Sequence, residues 1–171
     1  YKGLSIELDS VDACPAKEPQ QNPSEIEKWL VVKNGNMPVK ECQVVVEDLE
    51  YYFKSEWIFP PNGFEQKALR WAEESDSQEG KIDICANGSA TLEIARLFRL
   101  PNPYFGISYF DGNYGKTHHF VGTYKLRLRI EAKICDRSSL WGFEPIIYEV
   151  YLSYVDALNL EIKDIVRVSA T

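Results

Sequence analysis

The sequence predicts an all-β protein, an antiparallel β-sandwich of about nine or ten strands with at most short helical turns. Three observations carry this. First, residues 122–135 alternate: Tyr124, Leu126, Leu128, Ile130, Ala132 and Ile134 are interleaved with Lys125, Arg127, Arg129, Glu131 and Lys133. A strand with one buried and one wetted face has this period of two. Second, the dipeptides Asn34-Gly35, Asn62-Gly63, Asn87-Gly88 and Asp111-Gly112 punctuate the chain. Each is the preferred pair for a tight hairpin turn, because both residues tolerate positive φ. Third, apolar residues almost nowhere recur at helical spacing.

The elements follow in order. Residues 3–8 form a first strand, and 11–25, with Pro15, Pro19 and Pro23, a loop. Residues 26–33 are a second strand, ended by a turn over 34–38. A third spans 41–49, with Cys42, Val44 and Val46 facing one way and Gln43, Val45 and Glu47 the other. Residues 67–72 are a short strand, and the acidic run 73–80 is a solvated loop. Residues 82–85 and 90–97 read as a hairpin about Asn87-Gly88. Within 89–98 the apolar set Leu92, Ile94, Ala95 and Leu97 fits a strand or a helix equally. A short strand over 105–110, the long one over 121–134, and strands over 146–155 and 159–166 complete the series, with a bend expected at Asp156. No repeat, low-complexity segment or linker divides the chain, so residues 1–171 are expected to form one domain.

The 171 residues are 44% apolar and 26% charged, enough for a core without covalent staples. Asp and Glu outnumber Lys and Arg by 26 to 19, a net charge of −7. A nucleic-acid footprint needs clustered cations. The one basic row here, Lys125, Arg127, Arg129 and Lys133, is interrupted by Glu131 and reads as a solvated face. The longest apolar run is 29–32, far below the roughly eighteen residues of a membrane span. Cys14, Cys42, Cys85 and Cys135 are spaced too widely for a zinc pattern and allow several disulfide connectivities or none.

No residue pattern calls for a cofactor. Adjacent His118 and His119 would point to opposite faces of a strand, and no nucleophile-elbow sequence accompanies them. Carboxylate groups at 47–50, 73–76 and 156–164 read as solvated loops rather than a facing glycosidase pair. The segment beginning Asp111-Gly112-Asn113-Tyr114 resembles a calcium loop, but Lys116 and Gly122 stand where that loop needs glycine and glutamate. A looser calcium site would use Asp111, Asn113 and a neighbouring acid. Asn87-Gly88-Ser89 is formally a glycosylation sequon at a position that turn chemistry already explains. Two aromatic groups remain: Tyr51, Tyr52, Phe53, Trp57, Phe59 and Phe64 around Pro60-Pro61, and Tyr104, Phe105, Tyr109, Phe110 and Tyr114. Aromatics on a sandwich rim anchor protein partners or stack on sugars.

The run at 29–46, WLVVKNGNMPVKECQVVV, resembles the B strand, turn and C strand of immunoglobulin-like and fibronectin-like prokaryotic domains. Leu69-Arg70-Trp71, Ile82-Asp83-Ile84 and residues 122–130 follow in similar order, so the likeness covers about 26–134. Gly122-Thr123-Tyr124 is placed like the tyrosine of an immunoglobulin-type F strand, whereas the usual inter-sheet cysteine pair has no counterpart on the second strand. The similarity extends to uncharacterised bacterial and phage proteins whose sandwich follows membrane-spanning helices. It implies an immunoglobulin-like fold and a soluble head of a larger cell-envelope or membrane-associated protein, anchored through a segment outside this chain.

The expected function is a non-enzymatic protein-interaction module. Its contact residues are expected among Tyr52, Trp57, Phe59, Phe64, Asp111, Asn113 and Tyr114, on the loops 54–66 and 111–120. A glycan- or calcium-dependent ligand-binding domain using the same loops is the alternative, and an enzyme with an unrecognised site the remote one.

Overall fold

A computed structural model describes residues 3–7, 24–72, 79–99, 101–137 and 139–168. Cys14 and most of the loops expected over 11–25 and 73–80 lie outside them. The described residues contain twelve strands and no helix, and no helix long and apolar enough to cross a membrane is among them. In chain order the strands are β1 (Ser5–Glu7), β2 (Glu25–Lys33), β3 (Val39–Phe53), β4 (Glu56–Ile58), β5 (Arg70–Trp71), β6 (Ile82–Ile84), β7 (Ser89–Phe98), β8 (Tyr104–Ile107), β9 (Gly122–Asp136), β10 (Ser139–Gly142), β11 (Ile146–Asp156) and β12 (Asn159–Val168).

They form two antiparallel sheets. The first runs β1-β2-β7-β5, with β8 also on β7; the second runs β12-β11-β9-β3-β4, with β6 on β3 and β10 on β9. The alternation that predicted β9 places it between β3 and β11, and its six inward residues are all buried. Inward rows from both sheets meet in one core: Leu30, Val32 and Leu92 from the first, Val44, Leu126, Leu128, Val150 and Leu152 from the second. Each such side chain contributes about 1.5–3 kcal/mol by leaving water.

Three local expectations are corrected. Residues 82–85 and 90–97 are not a hairpin. Gly88 N–H donates to the Cys85 carbonyl at 2.9 Å, so the turn exists, but β6 pairs with β3 and β7 with β2, in different sheets. The same holds at Asn34-Gly35, where the chain passes from β2 to β3. There the buried Asn34 amide donates to the carbonyls of Met37, Ile84 and Cys85 at 2.8, 3.2 and 3.0 Å, binding the two crossings together. Asn62-Gly63 and Asp111-Gly112 turn the chain without joining paired strands.

Residues 89–98 are strand, and a β-bulge explains their helical look. Lys28 faces Ala95 and Trp29 faces Glu93, which leaves Ile94 as an extra residue. The inserted residue breaks the period of two and puts apolar residues at 92, 94, 95 and 97. A second bulge sits in β3, where Val46 faces Leu128 and Asp48 faces Arg127 with Glu47 extra. The buried set therefore changes parity, from Cys42, Val44 and Val46 to Leu49 and Tyr51, and the strand continues to Phe53 rather than ending at 49.

Residues 67–72 divide between the sheets. Leu69 N–H donates to Val44 O at 2.7 Å in the second sheet, and Ala72 N–H to Thr91 O at 2.8 Å in the first. Sequence reading missed β4 and β10, both of which are short.

Candidate interaction surface

One end of the seven-stranded sheet carries exposed apolar side chains among the polar ones usual at strand ends. Register locates it. Tyr51 of β3 faces Tyr124 of β9, and Gly122 of β9 faces Tyr154 of β11. Beyond this line lie Phe53, the segment 119–121 and the β11–β12 turn, side by side in that order. Phe53, Phe120, Val121, Val155 and Leu158 there are 47%, 54%, 57%, 57% and 56% exposed.

Tyr51 organises this end. Its ring stacks on Phe53 at 6.3 Å, tilts against Phe120 at 6.4 Å and packs on Tyr124 at 4.8 Å. Its hydroxyl donates to the Val121 carbonyl at 2.6 Å. Tyr124, two residues into β9, donates its hydroxyl back to the Phe120 carbonyl at 2.7 Å. The two phenols thus fix the backbone of consecutive residues and turn the Phe120 and Val121 side chains outward. Burial pushes the Tyr124 hydroxyl well above the usual phenol range, so it stays a donor.

The predicted contact residues fall in three places. Tyr52 and Trp57 are cross-strand partners of the β3–β4 hairpin, with rings 5.0 Å apart. Trp57 also meets Tyr151 edge-on at 6.0 Å, and Lys125 Nζ lies 4.5 Å from its centroid. The half-buried Trp57 therefore has its ring engaged within the chain. Phe59 and Phe64 pair at 5.7 Å in the following loop; Phe59 is exposed, while Phe64 packs on the core. Asp111 and Asn113 form a self-contained turn. Asp111 accepts from Asn113 N–H at 3.0 Å and from Lys67 Nζ at 3.1 Å, and Asn113 Oδ1 accepts from Gly115 N–H at 2.9 Å. Tyr114 lies apart, on the other sheet, against Phe98 at 5.0 Å and beneath Arg96. It approaches so closely that a Cβ on Gly106 would stand 2.7 Å from its own Cβ.

The two loops nevertheless touch. Asn62 Nδ2 donates to the Thr117 carbonyl, and Lys67 bridges Glu65 and Asp111 at 3.0 and 3.1 Å. The residues that sequence reasoning did not select as contacts, Phe53, Phe120, Val121, Val155 and Leu158, left one signal. Leu158 sits in a turn and Phe120-Val121 precedes a strand, positions where polar residues prevail.

His118 is buried and its Nε2 has no hydrogen-bond partner among the described residues; burial pushes its pKa down to about 4. His119 is exposed and contacts Thr117 Oγ1 at 3.1 Å. Among the described residues no three His, Cys, Asp or Glu side chains converge as metal ligands. Each cation of the basic row is ion-paired: Lys125 to Glu50, Arg127 to Glu47, Arg129 to Glu131 and Lys133 to Glu41, at 3.5, 3.3, 2.7 and 2.6 Å. Cys42, Cys85 and Cys135 are free thiols.

No protein-family model, curated protein or solved structure matches this chain.

Proposed function

We propose that this chain is an immunoglobulin-like, non-enzymatic interaction module that binds a protein partner through the apolar end of its larger sheet. Strand order supports the fold reading. The orders β1-β2-β7-β5 and β11-β9-β3-β4 parallel the A-B-E-D and G-F-C-C′ sheets of that architecture, with β12 added beyond G. The Tyr124 hydroxyl bonded to Phe120 O is the counterpart of its tyrosine corner. No cysteine stands on β2 to form the usual inter-sheet bridge.

The observation that carries the binding reading is the exposed row Phe53, Phe120, Val121, Val155 and Leu158 on three adjacent connections. Exposed apolar side chains are ordinary singly; several on adjacent tips of a rigid scaffold favour a contact surface. The expected test uses Phe120→Ser with Leu158→Ser. The double variant melts within a few degrees of the parent, because both side chains are already more than half exposed. It loses a partner that the parent captures from native extract and that binds the purified parent directly. Retention of that partner by the variant, or saturable binding of a soluble glycan instead, would sink the proposal.

A further inference from the structure

His118 lies directly beneath the apolar end and has a charge problem that the fold leaves unsolved. It is 2% exposed, between the rings of Phe105 at 5.0 Å and Tyr124 at 5.6 Å. Its Nε2 is enclosed and meets no acceptor among the described residues. The titratable groups around it are His119 on the same segment and Tyr124 from β9, with Tyr51 of β3 and Tyr154 of β11 ranged around Tyr124. β8 contributes the uncharged Phe105 ring, and among the described residues no carboxylate acts on the imidazole. A protonated His118 would therefore be a buried cation with no counter-charge, beside a second histidine. Such a group stays neutral in its site, and its charged form is favoured only where water reaches it.

The backbone here is built to leave. Residues 117–121 belong to no strand. They are held by one two-bond bridge between His118 and Phe105, at 2.9 and 3.1 Å, by the Tyr124 and Tyr51 hydroxyls on the Phe120 and Val121 carbonyls, and by Asn62 on Thr117. None of these bonds belongs to the β3–β9–β11 ladders, and the remaining hold is ring packing of Phe120 on Tyr51 and of His119 on Tyr104.

We propose that residues 117–121 form an acid-sensitive latch: protonation of His118 releases them from the aromatic core and dismantles the Phe120–Val121 part of the apolar end. The sign follows from the histidine. Closed, it holds its proton only near pH 4; open, it returns to about 6.5. The open form therefore binds more protons between these values, and the closed form loses stability as pH falls. Over the whole interval the open-to-closed ratio rises about 300-fold, roughly tenfold per pH unit in its middle. As a control on binding, the latch rests on the reading of this end as a contact surface; as a property of the chain, it does not.

Amide hydrogen exchange on the isolated protein between pH 7 and pH 4.5, corrected for intrinsic rates, tests it without any partner. The amides of His118 and Phe105, which bond each other's carbonyls, are expected to lose at least tenfold in protection relative to Leu126 and Leu128 in β9. His118→Leu, which cannot ionise, is expected to abolish that difference. Protection that stays constant, falls in parallel with β9, or falls equally in His118→Leu would overturn the latch. Should that variant fail to fold, an NMR titration of the parent decides: a His118 ring titrating near pH 6.5 in the native spectrum would also overturn it. A latch that behaves as expected while Phe120→Ser with Leu158→Ser leaves binding intact would separate failure of the contact surface from failure of the switch.

Discussion

Gly122 shows how much one residue decides at the apolar end. It begins β9 at φ +142°, a conformation L side chains rarely adopt, and a Cβ there would stand 2.9 Å from the Tyr51 ring and 3.1 Å from its hydroxyl. Glycine is required both by the backbone and by the closeness of the ring that holds Val121. Gly122→Ala is expected to destabilise the fold by more than about 1 kcal/mol. It should also loosen residues 119–121, read as a lowered urea midpoint together with faster exchange at His118. A variant as stable as the parent would mean that the Tyr51 contact is dispensable. Cys42 makes the opposite point. Burial pushes its thiol up to about 12, and it behaves as a small apolar residue of the core. Its side of the strand was legible from alternation, whereas the role of Gly122 depends on a ring 71 positions earlier in the chain.

At the scale of elements, the hairpins are not where turn chemistry pointed. The β3–β4 hairpin closes on Lys54-Ser55, with φ of 50° and 66°, instead of on an Asn-Gly pair. Two-residue hairpins of this hand favour Asn-Gly because ordinary side chains crowd the backbone at positive φ. Replacing Lys54 and Ser55 by Asn and Gly is expected to raise stability by about 1 kcal/mol, observed as a higher melting temperature. An unchanged or lower value would show that contacts such as Lys54 over the Phe53 ring outweigh the strain. The Asn-Gly pairs serve crossings between sheets, where the chain must also reverse sharply. Local sequence specifies the reversal; which strand lies on the far side is a long-range matter. The bulges at Ile94 and Glu47 are likewise invisible locally, because an extra residue shows only against its partner strand.

At the scale of the molecule, both sheets bury their inner rows in one core, so loss of packing at its centre should be felt throughout. Leu128 is buried in β9 between Val46 and Tyr148 on the neighbouring strands. Leu128→Ala is expected to cost about 2–5 kcal/mol. The urea midpoint should fall in a single transition of unchanged slope, as for one cooperative unit. Two transitions, or a change of slope, would show that the sheets unfold separately. The sequence alone determined the all-β class, the inward face of β9 and the β11–β12 bend at Asp156. These are properties of near neighbours, since alternation and turn preference act over a few residues. Tertiary structure alone decided which strands share a sheet, where the bulges shift the buried face, and that the connections bearing Phe53, Phe120, Val121, Val155 and Leu158 come to one end of the larger sheet. Those residues lie up to 105 positions apart, and only strand pairing brings such distant ends of the chain to one edge.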